Sequence, residues 1–182
     1  GYEKGVRRHK DRVCKLVEKY TPVDIDRLIQ ICLESNQTFD KEERELGSGL
    51  EYVFEVLQSQ QQLYLYLVDA YMRADTPYKI NAEQIFDRLF ELMSATEVKK
   101  FITKYKHGQQ NVWLWYFYAL IPEQQLSAEW ATDLLNYLEE PDVGLEKSPY
   151  RKLDLLRKYE RIEPKIICKA LRIVSNHYEE SP

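Results

Sequence analysis

The side chains able to act as acids or bases near neutral pH are few and scattered in this sequence. The 182 residues include only three histidines, His9, His107 and His177, and histidine is the residue whose ordinary pKa lies nearest to neutrality. His107 precedes Gly108 at the expected end of a helix, where a cation stabilises the negative helix terminus. His9 and His177 lie in polar surroundings near the chain ends. We therefore interpret all three histidines as structural.

The cysteines do not form a pattern typical of a reactive or metal-binding centre. Cys14, Cys32 and Cys168 are odd in number, widely spaced and without a C-x-x-C pair. The sequence therefore predicts neither a disulfide framework nor a zinc site. Each cysteine adjoins an aliphatic residue in a helical pattern, which indicates packing rather than nucleophilic chemistry. This usage of cysteine favours a reducing, cytoplasmic environment.

Motifs that would name a reaction are absent from the sequence. It contains no phosphate-binding or dinucleotide-binding glycine motif, no nucleophile elbow and no paired-histidine zinc motif. We therefore predict no catalytic, cofactor-binding or metal-binding residue, and interpret the protein as non-catalytic. A helical enzyme with an unrecognised pocket remains a third interpretation, behind a protein-binding module and a nucleic-acid-binding domain.

Basic residues are concentrated in three segments, although the chain carries a net charge of −4. Segments 1–20, 99–106 and 147–182 each carry a net charge of +4, whereas 21–98 and 107–146 carry −9 and −7. An acidic chain is not a general nucleic-acid binder. Clustered bases nevertheless provide local contacts for phosphates or for an acidic partner.

Helical spacing aligns these bases into stripes. The candidate contacts to nucleic acid or to an acidic partner are Lys100, Lys104, Lys165, Lys169 and Arg172. On the last predicted helix, they lie opposite an expected inner face of Ile167, Leu171, Val174 and Tyr178. A further stripe consists of Arg8, Arg12, Lys15 and Lys19. The stripes fall on predicted helices one, six and ten, of which only the last two share a side of a helix-pair stack. Charges at this spacing most often form a solvated helix face.

Three tyrosines resemble a base-stacking surface when they are considered alone. Tyr64, Tyr66 and Tyr71 lie among leucine and valine residues of one helical segment. Such surroundings favour packing between helices over stacking on bases. We therefore predict that these rings belong to the core.

The segment 111–122, NVWLWYFYALIP, is the most apolar stretch of the chain. It is too short for a membrane span of roughly 20 residues. Because it is apolar all round, we predict a helix packed between neighbours, with Trp113, Phe117 and Leu120 buried. A buried strand is the alternative, but Gly108 before the segment and Pro122 after it favour a helix.

Local signals divide the rest of the chain into further helices. Helix starts are expected at Thr21-Pro22, at capping boxes formed by Asn81/Gln84 and Ser94/Glu97, and at Ser127, Ser148-Pro149 and Pro164. A polar surface connection is expected over 34–49; it ends in Gly47-Ser48-Gly49 and could include a short helix over 39–46. Residues 50–74 are expected to form either one bent helix or a helix pair.

These signals predict an all-α fold of about ten helices, since globular helices usually span about 8–20 residues. No constant repeat period appears, so the alternatives are an irregular α-solenoid of HEAT-like helix pairs and a compact multi-helix bundle. We expect residues 1–182 to form one domain. The initial glycine indicates a module of a larger protein. The interpretation that follows is a non-catalytic, intracellular scaffold that binds a protein partner or an adjoining domain and no membrane. The alternative is an RNA- or DNA-binding domain that uses the basic helix faces.

Overall fold

Helices make up most of the residues that the computed structural model describes, which are 2–34, 40–74, 76, 79–104, 110–139 and 149–179. Within the helices, the side chains of residues 2–7, 9, 10, 40–48, 110, 111, 149 and 177–179 lie outside the description. The helices are α1 (Tyr2–Val17), α2 (Pro22–Glu34), α3 (Asp40–Leu57), α4 (Gln61–Arg73), α5 (Ala82–Leu92), α6 (Ala95–Ile102), α7 (Gln110–Leu120), α8 (Ala128–Glu139), α9 (Pro149–Tyr159) and α10 (Lys165–Glu179), with a 3-10 turn at Glu123–Gln125. The predicted all-α class is confirmed. None of the helices in these ranges is long and apolar enough to cross a membrane.

The chain forms two compact units, Gly1–Arg88 and Leu89–Pro182. In the first unit, α1 packs on α3, α2 packs on α4, and α3 packs on α4. In the second unit, α7 packs on α6 and α9, while α10 packs on α8 and α9. Alternate helices are therefore neighbours within each unit. The expectation of one domain over residues 1–182 stays a prediction.

The polar connection expected over 34–49 is wrong for its C-terminal part, because α3 runs from Asp40 through Gly47-Ser48-Gly49 to Leu57. Each glycine inside a helix costs about 1 kcal/mol relative to alanine. The buried side chains at the end of α3, such as Leu50 and Phe54, fix the helix by tertiary packing. The glycines are a local signal for a turn, whereas the packing that overrides this signal involves residues distant in the sequence. The alternative of a helix pair over 50–74 is correct, since α3 ends at Leu57 and α4 begins at Gln61.

Aromatic packing fills the core of the first unit. The ring of Phe54 makes edge-to-face contacts with Tyr64 and Tyr71, at centroid distances of 6.1 and 5.3 Å. Both tyrosines are buried. Tyr66 is half-buried, and its hydroxyl donates to Asp26 Oδ2 at 2.8 Å. The predicted role of these tyrosines in packing is confirmed for Tyr64 and Tyr71, and Tyr66 links α4 to α2.

Side-chain caps form at three of the predicted helix starts, but of the capping box predicted at Asn81/Gln84 only the Asn81 hydrogen bond is present in the description. Ser94 and Glu97 form a complete capping box at the start of α6. The Asn81 side chain accepts from Glu83 N at 2.9 Å, and the Ser127 hydroxyl accepts from Trp130 N at 3.3 Å. These local hydrogen bonds satisfy amide groups that a helix start leaves unpaired. They fix the starts of α5, α6 and α8.

The aromatic helix α7 supplies the core of the second unit. Trp113 and Phe117 are buried as predicted, but Leu120 is only half-buried. The prediction that this helix packs between neighbours is confirmed, since α7 contacts both α6 and α9, although Tyr116 is 37% exposed. The face of α7 that carries Phe117 and Tyr118 packs inward, and the face that carries Tyr116 does not.

The predicted inner face of α10 is also wrong. Ile167 and Leu171 are 54% and 65% exposed, whereas Ile166 is 1% exposed. Val174 is half-buried, and the side chain of Tyr178 lies outside the described residues. Adjacent isoleucines differ by about 100° around a helix, so the sequence pattern alone could not select which of the two faces the core. The contact with α9 settles the choice in favour of Ile166.

Candidate functional site

An open cleft lies between α6 and α8, with a volume of about 730 Å³. It is lined by Thr96, Lys99 and Lys100 of α6, by Thr103 just after that helix, and by Ala128, Glu129, Trp130, Thr132, Asp133 and Asn136 of α8. We call it the α6–α8 cleft. Of the five bases predicted as contacts, Lys100 is the one that lines it. Hydroxyl, amide and charged groups alternate in this lining with apolar surface, so that the cleft offers both hydrogen bonds and apolar contact.

Three side chains from three helices, namely Lys99, Tyr118 and Asp133, meet in the wall of this cleft. Asp133 Oδ2 accepts a hydrogen bond from the Tyr118 hydroxyl at 2.7 Å and also forms an ion pair with Lys99 Nζ. The Lys99 ammonium lies 5.6 Å from the ring centroid of Trp130 and 5.9 Å from that of Tyr118. This arrangement joins α6, α7 and α8.

The hydrogen bond and the ion pair within this cluster limit the chemistry that its side chains can perform. Burial raises the pKa of the Tyr118 hydroxyl far above its ordinary value, and the hydrogen bond to Asp133 adds to that effect. Tyr118 is therefore a protonated donor rather than a base at neutral pH. The Lys99 ammonium and the Asp133 carboxylate satisfy each other. The cluster is suited to holding helices together.

Sequence reasoning missed this cluster for an identifiable reason. Lys99 and Asp133 are 34 positions apart, and each reads as an ordinary charged residue on its own helix. One signal was available, because Asp133 directly precedes the apolar pair Leu134-Leu135 in the predicted helix. A charge on the edge of a buried face requires a partner.

The predicted bases of α10 occupy different environments. Lys165 and Arg172 are exposed. The Lys169 side chain is only 17% exposed, and its Nζ lies 3.6 Å from Glu139 Oε1 at the end of α8. The prediction of one exposed stripe is therefore wrong at Lys169, because α8 covers that residue.

The predicted bases of α6 lie on the side of that helix away from the core. Lys100 and Lys104 are both exposed. Lys104, which follows α6, has its ammonium 4.1 Å from the ring centroid of Phe101 in the last turn of that helix, a cation–π contact. His107, which was added to this stripe as a helix-end cation, lies outside the described residues.

Acidic residues of α8 lie between the two basic helices of this unit. Asp133 pairs with Lys99 of α6, and Glu139 pairs with Lys169 of α10. α8 therefore supplies one carboxylate to a lysine of each basic helix. The expectation that helices six and ten lie on a common side stays a prediction.

The C-terminus of α7 is held by side chains of α9. Lys158 Nζ donates to the carbonyl oxygens of Ala119 and Ile121, each at 2.6 Å. The Tyr159 hydroxyl donates to Tyr118 O at 2.7 Å. Burial lowers the pKa of the Lys158 ammonium, which a nearby carboxylate partly opposes, and burial raises the pKa of Tyr159. These donors satisfy carbonyl groups that a helix end leaves unpaired.

The remaining reactive side chains do not come together within the described residues. Cys14 is half-buried, Cys32 is buried and Cys168 is exposed, and all three are thiols rather than disulfides. Burial raises the pKa of Cys32, which keeps it protonated at neutral pH. In the described part of the chain, no three His, Cys, Asp or Glu side chains cluster in a way that could hold a metal. His9, His107 and His177 have side chains outside the description.

No protein-family model, curated protein or solved structure matches this chain.

Proposed function

We propose that this chain is a non-catalytic, solenoid-like helical module that binds a protein partner. The packing of alternate helices within each unit supports a solenoid-like architecture. Solenoids are stabilised by contacts between neighbouring helices and present extended surfaces, so that binding needs no dedicated chemical motif.

The observation that carries this proposal is the pairing of a lysine on each of the two basic helices, α6 and α10, with a carboxylate of α8. A nucleic-acid backbone is uniformly negative and is bound by clustered bases. Here the carboxylates of Asp133 and Glu139 neutralise Lys99 and Lys169, and the cleft between α6 and α8 offers hydroxyl and amide groups beside charges of both signs. Interleaved donors, acceptors and charges complement another protein surface, which has the same mixture.

A cytoplasmic location and an adjoining domain as the partner are parts of the same proposal. The dispersed cysteines and the absence of any paired C-x-x-C motif in the sequence support the cytoplasmic location. The partner is a polypeptide that carries both acidic and hydrogen-bonding groups, since Lys100 and several threonine and asparagine side chains line the cleft.

The proposal is tested by selecting phage-displayed random 20-residue peptides on the purified protein, followed by affinity measurement of the enriched peptides. We expect peptides that bind with micromolar or tighter Kd. Asn136→Glu places a carboxylate in the α6–α8 cleft and should weaken cleft-bound acidic peptides at least tenfold. The matched control is Asn176→Glu, which adds the same charge at an exposed asparagine of α10. Failure to enrich any binding peptide, together with nanomolar binding of an oligonucleotide, would overturn the proposed function.

A further inference from the structure

The exposed side of α1 carries a line of basic side chains with no acidic residue within it. Arg8, Arg12 and Lys15 lie on α1, and Lys19 lies in the turn that follows it. All four are exposed, and they recur at intervals of four, three and four residues, which aligns them along the helix. Val17 is 1% exposed and lies about 140–180° around the helix from the three bases on α1. The four bases therefore face away from the core, and we call them the α1 row.

The bases of the α1 row are not neutralised by their surroundings. Among the described side chains, no ion pair includes any of the four. In the second unit, by contrast, α8 supplies a carboxylate to Lys99 and to Lys169. Arg12 follows Arg8 by four residues and precedes Lys15 by three, and like charges at these spacings destabilise a helix. An acidic partner that covers the row removes this repulsion.

The two edges of the α1 row differ, and the difference indicates which kind of acidic partner fits. Asp11 and Glu18, both exposed, lie along one edge. Leu16 lies along the other edge, four residues after Arg12, and is 65% exposed. A nucleic-acid backbone and an anionic membrane surface are uniformly negative, so either would meet the two carboxylates as well as the bases. A polypeptide presents acidic, basic and apolar side chains in adjacent rows, which complements all three parts of this surface.

The spacing of the row matches a second α-helix laid along α1. Acidic residues at the same intervals of four, three and four lie on one face of a helix and meet the four bases one for one. The intervals are the same in both directions, so the match holds for a parallel and for an antiparallel partner. The row is about 17 Å long at 1.5 Å per residue. Four same-face residues of an extended segment span about 20 Å and fit it less well.

We propose that the α1 row binds an acidic α-helix of a partner protein, with carboxylates opposite the four bases and an apolar side chain against Leu16. A basic side chain of the partner lies beside Asp11 and Glu18. The inference rests on the proposed protein-binding function and adds a second site, in the first unit, together with the class of partner. Attraction between the two rows of charge speeds association and fixes the register of the partner.

The test uses three synthetic 18-residue helical peptides, acetylated and amidated, in fluorescence anisotropy titrations. The first has four glutamates at intervals of four, three and four, with leucine along one edge of that row, lysine along the other and alanine elsewhere. The second has the same composition with the glutamates spread around the helix, and the third replaces each glutamate by glutamine. We expect the first peptide to bind at least tenfold more tightly than the others, and to weaken as salt rises from about 0.05 to 0.5 M. Equal binding of the first two peptides would overturn a helix aligned along the row.

Paired variants locate the binding site. Arg12→Glu with Lys15→Glu should weaken the first peptide at least tenfold, and should bind a fourth peptide, with lysine in place of each glutamate, more tightly than the unmodified protein does. The matched control is Arg157→Glu with Arg161→Glu, two exposed bases of the second unit at a spacing of four residues. The control should leave the affinity unchanged. Retained affinity in the α1 variant, or no gain of the lysine peptide, would overturn the row as the site.

Arg12→Gln separates binding from folding. Glutamine and arginine have similar helix propensities, and the substitution removes the repulsion of Arg12 by Arg8 and Lys15. We expect the melting temperature to stay the same or to rise, while the affinity for the first peptide falls at least threefold. A lower melting temperature would show that Arg12 stabilises the fold, and would overturn the row as a repulsive, partner-binding surface.

Two further outcomes distinguish this inference from the proposed function. Loss of the first peptide's binding in Asn136→Glu, but not in the α1 variant, would assign the acidic peptide to the α6–α8 cleft; the α1 row would be overturned and protein binding retained. The second outcome is tighter binding of a 20-nucleotide RNA, or of vesicles of equal parts phosphatidylserine and phosphatidylcholine, than of the first peptide. If the α1 variant abolished that binding, the row would be a site for a uniform polyanion and the partner helix would be overturned.

Discussion

Replacing Phe117 by alanine should remove much of the stability of the second unit. Phe117 is 0% exposed, and its ring centroid lies 5.9 Å from Phe90, 5.2 Å from Tyr118 and 5.3 Å from Trp130. A buried phenylalanine-to-alanine change costs about 3–5 kcal/mol. Aromatic pairs add about 0.5–1.5 kcal/mol beyond the area they bury. Because three rings contact Phe117, we expect a loss of unfolding free energy near the upper end, about 4–5 kcal/mol.

Tyr116→Ala is the matched control, since it truncates the adjacent aromatic residue of the same helix. Tyr116 is 37% exposed, and its ring centroid lies 6.1 Å from that of Trp113. We expect a cost of about 1 kcal/mol, close to the average for single substitutions. The two variants have the same change in helix propensity within a few tenths of a kcal/mol, so their difference reports burial.

Urea unfolding followed by both tryptophan fluorescence and circular dichroism measures the two losses. The fluorescence of Trp113 and Trp130 reports the second unit directly, because both residues lie within it. A shift in the transition midpoint at constant slope would report a change in stability alone. An equal loss in the two variants would refute the reasoning, because Phe117 would then not be the more deeply packed side chain.

Three further predictions follow from the pairings and from the sequence. The stability of the folded protein should fall as pH rises above about 10, because folded Tyr118 keeps a proton that the unfolded chain releases near its ordinary pKa. In urea titrations at alkaline pH, Tyr118→Phe should make the free energy of unfolding fall less steeply with pH, by up to about 1.4 kcal/mol per pH unit. An unchanged pH dependence would show that Tyr118 does not resist ionisation. Ser94→Ala should cost about 1 kcal/mol of unfolding free energy by loss of the α6 cap, whereas a loss below about 0.3 kcal/mol would show that the capping box contributes little. The melting temperature should not change with EDTA, reductant or ATP, and a clear shift would indicate a ligand that binds the folded state.

Features encoded in short stretches of sequence were predictable. The all-α class, the cap at Ser94 and the buried positions of Trp113 and Phe117 depend on contacts within one helix or on hydrophobic periodicity, and the structure confirms them. The expected break at Gly47-Ser48-Gly49 failed because packing of the following apolar residues outweighs the local glycine preference.

Features that depend on which helices meet were not predictable. The orientation of α10 could not be chosen, since Ile166 and Ile167 are equally apolar and only contact with α9 distinguishes them. The bases at Lys100 and Lys165 could be identified from their spacing, but the pairing of Lys169 with Glu139 required the position of α8. The candidate site therefore depends on tertiary contacts that a single sequence does not encode locally.

Nucleic-acid titration in about 0.15 M salt tests most directly whether this module binds protein rather than nucleic acid. The probes are a fluorescent 20-nucleotide RNA strand and a 20-base-pair DNA duplex. The reversal variant carries Lys100→Glu, Lys104→Glu, Lys165→Glu and Arg172→Glu, and omits Lys169 because that residue is paired with Glu139. The matched control reverses four exposed bases of the N-terminal stripe, Arg8, Arg12, Lys15 and Lys19.

We predict that the unmodified protein binds both probes no more tightly than about 10⁻⁶ M, the upper limit of non-specific contacts at this salt concentration. The two reversal variants should weaken that binding to a similar extent. Nanomolar binding that the first variant abolishes and the control retains would contradict the account. In that case the unmodified protein would show a log–log salt slope of about −0.9 per duplex phosphate contacted.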